Sequence, residues 1–135
     1  MYTRTGQNAY AKISLESQLA GATPHQLITM LYEGAINAML RAKIYFEQGN
    51  IPRRGEMISR AINIIDNGLR AGLNHEIGGN ISAEMESLYE YVSCNLLLVN
   101  LQQNPEPLPQ LIELMTDMSN TWKEIEPAKK QVNHG

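Results

Sequence analysis

Leu108, Leu111, Met115, Met118, Trp122 and Ile125 recur at steps of three, four, three, four and three residues. That is the period of one face of an α-helix; a strand, whose side chains alternate every second residue, cannot present it. Ile81, Met85, Leu88, Val92, Leu96 and Val99 repeat the pattern upstream at steps of three and four. No segment sustains a period of two, so no strand is predicted.

Turn and cap residues cut the remainder into helical lengths. Thr23-Pro24 reads as an N-cap followed by proline at the first helical position, where its missing N–H leaves no bond unmade. The helix that starts there runs to Gln48, and Gly49-Asn50 stops it. Ile51-Pro52 begins a second helix that reaches about Leu73, and residues 74–80, containing Gly78-Gly79, form a loop. A third helix covers about Ile81 to Gln103, and Asn104-Pro105-Glu106-Pro107 separates it from a fourth, about Leu108 to Ile125. Short links between long helices predict an all-α, antiparallel four-helix bundle with a short, displaceable N-terminal helix. The expected organisation is one helical-bundle domain over residues 1–126, its first 22 residues a mobile cover, with a polar flexible tail at 127–135.

The first two of these helices carry more apolar side chain than such packing uses. On the first, Gln26, Thr29, Glu33, Asn37 and Arg41 trace a narrow polar stripe, and most of the remaining circumference is apolar. A bundle helix needs an apolar arc of little more than 100°. On the second, Ile58, Ile62, Ile65, Leu69 and Leu73 form one seam beside a row of mostly small residues: Met57, Ala61, Ile64, Gly68 and Ala71. Small side chains let another backbone approach closely, so this row is expected to form a shallow trough. Large bare apolar patches usually mark interaction sites. One expected cover is the segment Gln7–Leu19, held through Tyr10 and Ile13 and joined by Ala20-Gly21-Ala22. A free helix of about 13 residues is marginal in water, so a cover this weakly held is displaceable.

Motifs for chemistry are missing. The chain has no Walker loop, G-x-G-x-x-G, H-E-x-x-H or G-x-S-x-G sequence and no paired Glu-x-x-His. His25, His75 and His134 are separate from one another in sequence and are read as structural or exposed, so neither a metal nor any other cofactor is expected. Cys94 is read as a small buried or half-buried side chain. Glu84, Glu86 and Glu90 belong to a solvated helix face. A net charge of -3 argues against a general nucleic-acid binder, and Arg53-Arg54 is too small a basic spot to reverse that. No apolar run approaches the roughly 18 residues a membrane span needs, and Met1–Gln18 has no signal-like apolar region, so a soluble, cytoplasmic protein is expected. Seven methionines fill the core by default, while Met30, Met39 and Met57 also suit a surface that adapts to a partner.

The opening Met1-Tyr2-Thr3 with Ala9-Tyr10, and Thr23-Pro24-His25-Gln26-Leu27-Ile28 leading into Met30-Leu31-Tyr32-Glu33-Gly34-Ala35, resemble the flagellar export chaperone family for flagellin (FliS). So do residues 43–49, residues 58–73, Gly78-Gly79-Asn80-Ile81, Leu88-Tyr89-Glu90-Tyr91, Asn100-Leu101 and Trp122-Lys123, a likeness spanning about residues 1–125. The resemblance implies a non-enzymatic cytoplasmic chaperone that holds the disordered C-terminal segment of flagellin, prevents premature polymerisation and delivers it to a component of the flagellar type III export gate. It also implies an N-terminal segment that lies over part of the binding surface and moves when flagellin arrives, so Tyr10 and Ile13 become candidates for the gate contact. Family members similar to this chain often carry two arginines where Cys94 and Asn95 stand and a bulky apolar residue where Gln7 stands.

Combined with the apolar surplus, this places the flagellin segment in a groove lined by Leu27, Leu31, Met57, Ala61, Ile64 and Gly68. The competing reading is a structural bundle that forms a homodimer through the same surplus. A cofactor-binding enzyme is disfavoured by the missing ligand set. Whether the free chain is a monomer or a homodimer, and whether it contacts a regulator of flagellar transcription, stays open at this level.

Overall fold

A computed structural model describes residues 21–73 and 80–134 of the 135-residue chain. Four helices account for most of them, and no strand occurs among the described residues. Helix α1 spans Pro24–Gln48, α2 Ile51–Ile64, α3 Asn80–Leu101 and α4 Leu108–His134. Helix α2 continues directly into a six-residue π-helical segment, Ile65–Arg70.

The caps explain the first two boundaries. Thr23 Oγ1 accepts from the Gln26 backbone N–H at 3.1 Å, and Gln26 Oε1 accepts from the Thr23 N–H at 2.8 Å, a reciprocal capping box with Pro24 at the first helical position. At the other end Gly49 is left-handed (φ 69°); its N–H donates to Phe46 O and that of Asn50 to Tyr45 O. Asn50 then caps α2, accepting from Arg53 N at 3.2 Å. Replacing Thr23 with alanine should lower the unfolding free energy by about 1 kcal/mol, read by urea denaturation; an unchanged midpoint would show that Pro24 alone sets the start.

The pairing is antiparallel. A Cβ built on Gly34 would lie 3.4 Å from Ile64 Cδ1, one on Gly68 3.1 Å from Leu31 Cδ2, and one on Gly72 3.5 Å from Ile28 Cδ1. As α1 is followed backwards, its partners advance along α2 and the π segment. Between α2 and α3 the sequence of contacts is Arg54 with Asn100, Asp66 with Ser93 and Arg70 with Glu86. Helix α4 closes the bundle against α1 and, less extensively, α3.

The core is aliphatic and contributed by all four helices: Met39, Ile58, Ile65, Leu69, Val92, Leu96, Leu108 and Met115 are among its enclosed members. The two seams expected on the later helices supply most of the second half of this set. Tyr32 and Tyr89 cross the interior, their hydroxyls hydrogen-bonded to each other and their ring centroids 6.2 Å apart. Burial, with the hydroxyl partner and its charge adding in the same direction, raises the Tyr32 phenol far above its ordinary range. Burial raises Tyr89 too, against a smaller opposing pull from its bond to Tyr32.

Three boundaries differ from expectation. The second helix is not α-helical to its end, because an i→i+5 segment occupies Ile65–Arg70. The third ends at Leu101, two residues early, with Gln103 at φ 52° turning the chain. The fourth keeps helical backbone to His134, beyond Pro127, where the sequence reading ends the bundle. Proline forfeits one backbone bond but does not oblige the residues after it to leave the helix.

Candidate functional site

Helix α1 and the α2–π unit meet through small residues, and this contact organises the first candidate surface. Gly68 gives Leu31 room to lie over the helix backbone, and Gly34 does the same for Ile64. A methyl group at Gly68 would sit 3.1–3.2 Å from both Leu31 methyls, tighter than ordinary contact. The row of small side chains is therefore not an empty trough; α1 itself occupies it.

This sorts the six residues expected to line the groove. Leu27, Leu31, Ile64 and Gly68 are half-buried at the outer edge of the α1–α2 contact. Met57 and Ala61 lie beneath it, 5% and 0% exposed, as members of the core. In this conformation the latter two support the surface from within and present no side chain to it. Met57 is thus not an adaptable surface residue; Met30 remains half-buried, whereas Met39 is enclosed. Tyr10 and Ile13, the residues assigned to the N-terminal cover, lie outside the described residues.

The entry to α1 is pinned to α4. His25 Nε2 donates to the Trp122 carbonyl at 2.6 Å, Trp122 Nε1 donates to the His25 carbonyl at 3.0 Å, and the two rings stack with centroids 4.6 Å apart. The exposed Lys123–Glu33 pair (3.3 Å) adds a tie between the same helices. His25 therefore does structural work at the start of α1.

Two further apolar surfaces are open. On α1, Leu40 and Ile44 are exposed; Leu40, with Ile36, borders a shallow groove against Thr116 and Asn120 of α4. On α3, Tyr91, Leu97, Leu98 and Leu101 are all exposed large side chains on the face opposite the buried Val92, Leu96 and Val99. Helix α3 is therefore apolar on two faces in its C-terminal half. Cys94 belongs to the outer one and is exposed, correcting the buried or half-buried placement expected for it. The signal for this surface was in the sequence: four large apolar residues stand off the Ile81–Val99 seam.

The polar inventory offers no chemistry to these surfaces. No group of three or more metal-ligating side chains occurs among the described residues, and no helix there is long and apolar enough to cross a membrane. The acidic groups of α3 divide: Glu84 and Glu90 are exposed, whereas Glu86 pairs with Arg70 at 3.7 Å. Arg70 also reaches Asp66 at 3.3 Å, and Ser93 donates to the same carboxylate at 2.8 Å, so this cluster fastens the π segment to α3.

Comparison with known proteins agrees with a binding scaffold of this kind. The family described as Flagellar protein FliS matches residues 6–129. The Flagellar secretion chaperone FliS of Salmonella typhimurium is 45% identical over 127 residues, covering 94% of this chain and 94% of that protein. The Escherichia coli protein of the same name is 36% identical over 92% of this chain and 91% of its own length. That of Vibrio cholerae is also 36% identical, covering 92% and 90%. The match covers the first three helices and most of the fourth, and the family is one of chaperones and not of enzymes. The chain belongs to the FliS family of flagellar secretion chaperones.

Proposed function

We propose that this protein binds the disordered C-terminal segment of flagellin in the cytoplasm, prevents its premature polymerisation and delivers it to the flagellar type III export gate. The observation that carries the reading is a surplus: with the core already filled, Leu40, Ile44, Ile51, Tyr91, Leu97, Leu98 and Leu101 remain exposed. The relatives' designation as flagellar secretion chaperones supplies the direction in which that surplus is read.

Burying a leucine-sized side chain returns roughly 1.5–3 kcal/mol. A client that orders as it binds loses part of that return to chain entropy. Several anchors are therefore needed, and spreading them over helix faces suits a long unstructured segment better than a compact ligand. The half-buried edge formed by Leu27, Leu31, Ile64 and Gly68, with Met57 and Ala61 beneath it, is the proposed first contact. Tyr10 and Ile13 are proposed to cover it before the client arrives and to be released to the export gate afterwards.

Calorimetry with a flagellin C-terminal peptide tests the placement. Leu27→Asp and Ile64→Asp proteins that keep their helical circular dichroism should bind at least tenfold more weakly, the effect of losing about 1.4 kcal/mol. Wild-type affinity in both would move the contact elsewhere. Absence of binding by the unmodified chain would reject the function.

A further inference from the structure

Arg54 is the one arginine or lysine among the described residues that the fold encloses, 7% exposed, and it has no carboxylate partner there. Its Nε donates to Asn100 Oδ1 at 3.2 Å, and its guanidinium carbon lies 4.6 Å from the centre of the Phe46 ring. A guanidinium has five N–H donors in a planar fork. One is used here. The terminal nitrogens make no hydrogen bond to the described residues, yet neither is a fully enclosed orphan. Each terminal nitrogen therefore keeps some contact with solvent.

The position sharpens the anomaly. Arg54 stands in the first turn of α2, where the helix dipole disfavours a cation. Neighbouring Arg53 is exposed and lies 3.8 Å from Glu56, an ordinary solvated pair. Phe46 and Asn100, the two contacts that hold Arg54, come from the last turns of α1 and α3. They leave the outer edge of the fork unused. Beside it stand two prominent apolar side chains: Ile51, one turn before Arg54 and 56% exposed, and Leu101, next to Asn100 and 67% exposed.

We infer that this end of the bundle receives an acidic side chain of the bound client segment, an Asp or Glu whose carboxylate takes the open fork of Arg54 while neighbouring apolar residues settle on Ile51 and Leu101. The inference rests on the proposed client-binding function and adds a charge-selective point to it. A carboxylate matches the fork's paired donors. Nucleic-acid phosphate fits poorly, because the rim is apolar and the chain carries a net charge of -3. An arginine already enclosed by Phe46 and Asn100 has lost most of its side-chain freedom before the partner arrives, so little more is lost on binding.

The test has two arms on the full chain. In the first, the arginine Nε–Hε resonances are followed during titration with sodium acetate, against sodium chloride at equal ionic strength. Arg54 should shift saturably with acetate, while exposed Arg53 drifts as it does with chloride. Identical responses in the two salts would overturn the inference without touching the proposed function. In the second, Arg54→Gln should weaken the flagellin C-terminal segment about tenfold or more, as loss of a charge-assisted bond does, and Arg54→Lys should recover part of it. Neutralising the acidic residues of the segment one at a time should find one whose effect vanishes in the Arg54→Gln background. Equal binding by the unmodified chain and a folded Arg54→Gln protein would remove the inference and leave the function standing. A segment that binds neither would remove the function, and the acetate arm would still decide whether Arg54 accepts a carboxylate.

Discussion

Raised above about pH 10, the folded chain should lose stability steeply, by up to about 2.7 kcal/mol per pH unit from two phenols together. A Tyr32→Phe/Tyr89→Phe protein should lose most of that dependence. Both tyrosines are almost wholly enclosed and hydrogen-bond only where the bundle brings α1 and α3 together. Burial holds both phenols protonated beyond the pH at which an unfolded chain releases them. Below about pH 10 these two phenols carry the same protons in the folded and unfolded states, so their full contribution is present. Above it the folded state binds more protons than the unfolded one, and each further pH unit favours unfolding. The loss continues until the pH passes the raised folded-state values. Urea denaturation at a series of alkaline pH values, with the double variant in parallel, reads this directly. Equal slopes in the two proteins would assign alkaline unfolding to other groups. At neutral pH the single Tyr32→Phe change should cost about 1–3 kcal/mol, because the Tyr89 hydroxyl stays enclosed without its partner. The double variant removes both polar groups and should be less damaged than the two single changes added together.

How far such a bundle is legible in its sequence depends on what sets each feature. The α4 seam is set by period, and Leu108, Leu111, Met115 and Met118 are enclosed as that period requires. The start of α1 is set by three adjacent residues, Thr23, Pro24 and Gln26, and is equally readable. The row Met57–Ala61–Ile64–Gly68 was visible as a row, but its role depends on which helix lies against it. The same small side chains that would make an open trough also let α1 approach, and only the three-dimensional register shows that α1 takes the place. The π segment follows from no local pattern, since Ile65 and Leu69 keep the spacing of an ordinary helical seam. In the sequence Arg54 reads only as half of a two-residue basic spot. Its enclosure arises from Asn100, 46 residues away, and from the ring of Phe46 on the preceding helix.

Helix α3 carries three consecutive leucines that should behave as two different kinds of residue. Leu96 is 0% exposed and belongs to the core, whereas Leu98 is 47% exposed on the outer face and Leu97 is similarly open. Leu96→Ala should lower the unfolding free energy by about 2–5 kcal/mol, the lost transfer energy plus that of a cavity its close-packed neighbours only partly fill. Leu98→Ala leaves no cavity, because solvent already touches that side chain, and its stability change should stay near 0.5 kcal/mol. The binding experiment should invert the order. A folded Leu98→Ala protein loses apolar surface that is still available to a guest, so flagellin-segment affinity should fall several-fold with the melting point almost unchanged. Leu96→Ala, assayed well below its lowered melting point, should bind nearly as the unmodified chain does, since its side chain never reaches the surface. Thermal melting and calorimetry on the same preparations separate the two effects. If Leu98→Ala alters neither quantity, the outer face of α3 is excluded from the client path, and the α1–α2 edge together with the groove beside Leu40 must carry the contact. If Leu98→Ala is instead as unstable as Leu96→Ala, that leucine is covered in solution by something within the chain itself, and an open apolar face no longer supports the proposed client binding.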